Sequence, residues 1–141
     1  MSSTENTKSV NLIAGEDLRG DLYEALTIEN DGGVGKVIKA TATNQVIVGV
    51  LGEEPRSDAT TDGENVPVVL LQGVILCKAG AAITASDLVI LDATAGRVAS
   101  GGANVGALAA DVFCIGTALE SAVDGDVFRV LAQPISSATE T

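Results

Sequence analysis

Apolar residues in this chain fall in short runs, and turns of Gly and Asp-Gly interrupt them roughly every ten residues, the spacing of a β-sandwich or barrel. Val, Ile and Thr dominate the runs, and these residues fit pleated surfaces. The pattern predicts ten strands: Ser9–Ile13, Leu22–Glu29, Gly35–Ala40, Gln45–Gly52, Asn65–Gln72, Gly73–Lys78, Leu88–Leu91, Arg97–Ala99, Phe113–Leu119 and Asp126–Ala132. Only Val105–Asp111 invites a helix, and that segment is under two turns long. The expected fold is all-β, a small sandwich or barrel-like domain with at most one short helix.

The pattern also repeats. Ala14-Gly15 is echoed by Ala79-Gly80, Asp21-Leu22 by Asp87-Leu88, and Gly35-Lys36-Val37 by Gly96-Arg97-Val98. Ile47-Val48-Gly49-Val50 aligns on its Gly with Phe113-Cys114-Ile115-Gly116-Thr117, and Asp62-Gly63 matches Asp124-Gly125. The five pairs keep one order at offsets between 61 and 67 residues. Two similar β units in one domain follow, about 13–72 and 78–132, with a pseudo-twofold as the candidate relation. Each unit is small for a core of its own, so the two should pack together. Both ends are polar and of low complexity. They are expected to be flexible arms over 1–10 and 134–141, flanking a β domain at 11–133.

Composition then removes whole classes of chemistry. The chain of 141 residues has 8 Lys+Arg against 19 Asp+Glu, a net charge of −11. That balance excludes a basic surface for nucleic acid and disfavours anionic membranes. With no His there is no Ser-His-Asp triad, no Cys-His pair and no His-ligated zinc. Three aromatics (Tyr23, Phe113, Phe128) offer little for stacking on sugars or bases. No leader-like apolar segment opens the sequence, and Val66–Cys77, its longest apolar stretch, is too short to span a bilayer.

The remaining candidates reduce to structure. Gly32-Gly33-Val34-Gly35-Lys36 looks like a phosphate loop, but Val37 stands where the hydroxyl is required and a β-branched run follows. A hairpin turn at Asn30-Asp31-Gly32-Gly33 explains the glycines. The Asp-Gly pairs lack the ligand spacing of a calcium loop, which leaves Asp58, Asp62 and Glu64 only as a place for an adventitious cation. Cys77 and Cys114 lie in apolar runs and read as buried free thiols, with a long-range disulfide between them as the alternative. Carboxylate pairs for glycoside hydrolysis are many, but a solvated acidic surface accounts for them. The connection Glu53–Glu64 is longer than its counterpart Glu120–Asp124 and reads as a surface insertion or a contact loop. No catalytic residue, cofactor or metal is expected.

One set of motifs has a familiar order. It runs from a polar arm through Gly20-Asp21-Leu22, Gly35-Lys36-Val37 and Ile47-Val48-Gly49-Val50 to the stretch from Asp62 to Val74. The second half continues with Ala85-Ser86-Asp87-Leu88-Val89, Gly96-Arg97-Val98, Ile115-Gly116-Thr117-Ala118-Leu119 and Asp124-Gly125-Asp126-Val127. Over about Asn11–Leu131 the chain resembles the small capsid cement, or head decoration, proteins of tailed bacteriophages. The longer Glu53–Glu64 connection and the Ala- and Gly-rich Ala99–Ala110 depart from that pattern.

The resemblance implies a structural, non-enzymatic homotrimer on the outside of the virion head. It would be made in the host cytoplasm, with the major capsid protein as partner and no role for nucleic acid or membrane. The residues expected to touch the capsid are those of the N-terminal arm: Ser2, Ser3, Thr4, Glu5, Asn6, Thr7, Lys8, Ser9 and Val10. A virion fibre or adhesion component is the alternative, and a small hydrolase is a remote one.

Overall fold

A computed structural model of the chain describes residues 8–55 and 65–137. Its ten strands fall where the apolar runs place them. They are β1 (Ser9–Ile13), β2 (Ala25–Asp31), β3 (Val34–Lys39), β4 (Gly49–Leu51), β5 (Asn65–Leu70), β6 (Gly73–Lys78), β7 (Leu88–Leu91), β8 (Val98–Ser100), β9 (Val112–Ala118) and β10 (Val127–Ser137). They form two five-stranded antiparallel sheets, ordered β1-β5-β4-β2-β3 and β6-β10-β9-β7-β8. The second order is the first with every strand advanced by five, so the sequence echoes mark a repeated topology.

The Ala-Gly echoes mark the point where each sheet closes. Directly after β1, Ala14 bridges in parallel to Val37 on the far edge strand, and the Gly15 N–H donates to the Val37 carbonyl at 2.7 Å. Ala79 and Gly80 repeat this on Val98, at 2.8 Å. Each sheet therefore curls until its first strand meets its last, which removes much of its open edge. Both places are crowded: a Cβ on Gly15 would lie 2.9 Å from Ile38 Cγ2, and one on Gly80 would lie 2.9 Å from Arg97 Cβ.

Register assigns the faces. Directly opposed residues share a face, so Leu26, Leu51, Val68, Val66 and Val37 point into the first curl, where Ala14 and Leu18 complete a buried cluster. The first unit thus has a small core of its own, contrary to expectation. Its other face, with Ala25 and Val50, joins a larger cluster built mainly from the second unit, including Cys77, Ile83, Val89, Leu91, Val98, Phe128 and Val130. The two units share that cluster, so they do pack together.

Some boundaries differ from expectation, each for a local reason. β2 starts at Ala25, not Leu22, because Asp21–Glu24 is a turn in which the Glu24 N–H donates to the Asp21 carbonyl and Tyr23 has φ 65°. β4 keeps only Gly49–Leu51 of the run Gln45–Gly52. The Val105–Asp111 helix shrinks to a 3-10 turn at Val105–Ala107, with Gly106 at its centre. β10 passes Pro134, where the tail was expected to start, and pairs on to Ser137. A register shift between Ala132 and Ile135 accommodates the proline, which has no N–H to donate.

The two units are not related by a pseudo-twofold. The tip of the β7–β8 hairpin docks on the first sheet: the Ala25 N–H donates to the Gly96 carbonyl at 2.6 Å, and the Gly96 N–H to the Ala40 carbonyl at 2.9 Å. A twofold would bring the counterparts Leu88 and Gly35 together in the same way. Instead the Leu88 N–H donates to Gly102, and Gly35 is exposed. The contact is head-to-tail.

Candidate functional site

The sequence places its contact residues at the N-terminus, and Ser2–Thr7 lie outside the described residues. Lys8 is the first described position; its carbonyl accepts the Leu70 N–H at 2.8 Å. Ser9 and Val10 belong to β1, opposite Val69 and Val68, so they are sheet and not arm. The reason is strand pairing: Val10 and Leu12 align with the buried Val68 and Val66, although Leu12 is only half-buried and Val10 stays exposed. Lys8, the first described residue, therefore lies beside the end of β5. Of the long connection only Glu53–Pro55 is described; Asp58, Asp62 and Glu64 lie outside.

The other sequence candidates resolve into turns and packing. Gly32 and Gly33, at φ 62° and 90°, form the two-residue loop of the β2–β3 hairpin, and the Gly33 N–H donates to Asn30 Oδ1 at 2.8 Å. Two positive φ values in succession are what a type I′ hairpin requires. Lys36 follows on a strand and pairs with Asp31 at 2.8 Å. Asp87 and Asp126 turn back in the same manner, accepting the N–H of Thr84 and of Val123, each at 3.0 Å. These aspartates are occupied with their own turns.

Both cysteines are buried and free. Burial alone pushes the Cys77 thiol up to about 12, and burial also raises that of Cys114. A raised thiol is less often the reactive thiolate. Among the described residues no group of three or more His, Cys, Asp or Glu is placed to hold a metal ion. Among the same residues no helix is long and apolar enough to cross a membrane.

Sequence reasoning missed a charged cluster at the junction between the units. Glu24, only 5% exposed, lies under the docked hairpin: a Cβ on Gly96 would be 2.6 Å from its Oε1, and Gly96 itself has φ 78°. Arg97 spans the junction, 3.9 Å from Glu24 and 3.1 Å from Asp124, while Lys39 pairs with Asp21 at 3.5 Å. The signal available beforehand was the Gly-basic-Val echo, which brings Arg97 in directly after the hairpin glycine.

Desolvation by burial, with Asp21 adding repulsion, raises the Glu24 carboxyl above its ordinary 4.5. A carboxyl raised on folding favours the native state below its ordinary value and opposes it once pH exceeds the raised one. Glu24→Gln should therefore melt at or above the wild-type temperature at pH 7, with the wild type gaining on the variant as pH falls towards 4.5. Melting curves of both proteins between pH 4 and 8 read this directly. A variant that loses ground at pH 7 would show that the Arg97 pair outweighs desolvation.

The arrangement offers the surfaces of two curled sheets, with exposed apolar residues that include Ile28, Val46 and Leu131. No protein-family model matches the chain, and no curated protein matches it. Among solved structures the fold is similar to the crystal structure of the head fiber gp8.5 N base in bacteriophage phi29. The TM-score is 0.61 at 14% identity, covering 90% of this chain and 94% of that one.

Proposed function

We propose that this chain is a structural component of a tailed-phage head, a decoration protein that binds the outside of the assembled capsid. The observation that carries the reading is the fold likeness to a phage head-fibre base over nine-tenths of the chain. The motif order that resembles cement proteins points the same way, independently of that structure. In this reading the chain is a homotrimer, its partner is the major capsid protein, and it catalyses nothing. It is made in the host cytoplasm and ends on the virion exterior. The net charge of −11 suits that place, since decorated heads would repel one another.

Binding only the intact lattice would stabilise it by mass action. Each arm contact of Ser2–Thr7 would add on the order of 1 kcal/mol, and several arms on one oligomer would act together through effective concentration. Sedimenting undecorated heads with the protein should pull it down saturably. Because the Lys8 carbonyl holds Leu70, the clean truncation removes Ser2–Thr7. The truncated chain should fold normally and bind heads at least tenfold more weakly. Undiminished binding would remove the arm from the account and turn attention to the loop 53–64.

The second reading, the base of a head fibre, is favoured by the identity of the similar structure, itself a head-fibre base. A fibre base would saturate at few sites per head, whereas a decoration protein would saturate across the lattice.

A further inference from the structure

The internal repeat shows what closes the mouth of one curled sheet. In the second unit the mouth residues Leu91 and Phe113 lie in and against the shared cluster, and the Phe113 N–H donates to the Thr43 carbonyl of the first unit at 2.8 Å. What packs on that cluster from the first unit is the outer face of its sheet, with Ala25 and Val50. A mouth is sealed by the outer face of another unit.

Among the described residues, the first unit's own mouth has no such cover. Ile28 opposes Val37 as Leu91 opposes Val98, so Ile28 and Leu91 are counterparts. Ile28 is 50% exposed and Leu91 is 2% exposed. Val46, the counterpart of Phe113, is 62% exposed. Conversely, the outer face of the second sheet is covered only in part: Leu88, the counterpart of Ala25, is 7% exposed, whereas the β10 side of the face is open. Leu131 opposes Thr117 as Val69 opposes Val50, so this face corresponds to the one that seals. Leu131 is exposed there, with Val127 along the same strand and Leu119 beside them. Val74, Leu76 and Val127 stand on this face where the first sheet has polar Ser9, Asn11 and Asn65.

We propose that these two surfaces meet between chains: the mouth at Ile28 and Val46 of one copy docks on the Leu131 face of a second copy, head-to-tail, as the units already do within one chain. The occupant is a second copy because the fold itself shows one such unit covering the other. The backbone part of the internal contact is not repeated, because the Leu88 N–H is taken by Gly102. The new contact is one of side chains. A heterologous contact of this kind closes into a ring or grows without limit. The inference deepens the reading of the chain as a self-associating head component but needs no head.

Two variants of the full chain test it by light scattering, without capsids. Val46→Asp spoils the mouth and Leu131→Asp spoils the face; both side chains are exposed, so both proteins should melt as the wild type does. Each variant alone should associate at least tenfold more weakly than the wild type. An equimolar mixture should recover a dimer, because one variant retains the face and the other the mouth. The inference is overturned if the wild type is monomeric at tens of micromolar, if either variant keeps the wild-type mass, or if the mixture stays monomeric. Head sedimentation in any of these cases reports separately on the capsid-binding reading.

Discussion

Replacing Phe128 by alanine should destabilise the whole chain by about 3–5 kcal/mol, lowering Tm on the order of 10 °C. Phe128 is the largest fully buried side chain, 1% exposed, on β10 opposite Cys77, and it belongs to the cluster that also holds Ala25 and Val50 of the first unit. Removing the ring opens a cavity beside both units at once. The chain has one tyrosine and no tryptophan, and Tyr23 lies at the junction, its carbonyl accepting the Lys78 N–H. Tyrosine emission therefore reports the junction while circular dichroism reports both sheets. The two probes should move together in a single transition, in the variant as in the wild type. A first unit that melts separately, unaffected by Phe128→Ala, would mean that its own small cluster suffices.

A second large effect is expected at Gly116, where alanine should cost about 3 kcal/mol that no rotamer adjustment offsets, since a Cβ there would fall on the Leu131 backbone carbonyl. The neighbour is the paired strand itself, so β9 and β10 would have to separate. Gly49 meets the Val69 carbonyl in the same way at the corresponding place in the first sheet. Gly125 is the control. It has φ 91° and nothing within 4 Å of an added Cβ, so alanine there costs only the left-handed strain, about 1–2 kcal/mol. Denaturant melts of Gly116→Ala and Gly125→Ala should differ in that order. Equal losses would place the cost in backbone conformation and not in the close strand approach.

These two glycines also show what the sequence could reveal. The strands around Gly49 and Gly116 align on the glycine from sequence alone, and all ten apolar runs become strands, because period and turn residues are local signals. Sheet closure was legible only as an unexplained Ala-Gly echo. The bridge from Ala14 to Val37 joins residues 23 positions apart, and no local pattern encodes it. The head-to-tail packing was hidden for a different reason. Ala25 and Leu26 are both apolar and both buried, on opposite faces, so alternation does not say which face meets the other unit. The tail boundary was misplaced because Gln133-Pro134 reads as a stop, whereas β10 absorbs it in a bulge. At the candidate site, Ser9 and Val10 looked like arm because polar neighbours precede them, and their pairing with β5 lies almost sixty residues away.

The central claim is attachment to the outside of an assembled head. Electron cryomicroscopy of heads with and without the protein tests it most directly. The account predicts additional density on the exterior surface at symmetry-related positions across the lattice, each large enough for two curled five-stranded sheets per chain. Identical maps, or added density inside the shell, would contradict it.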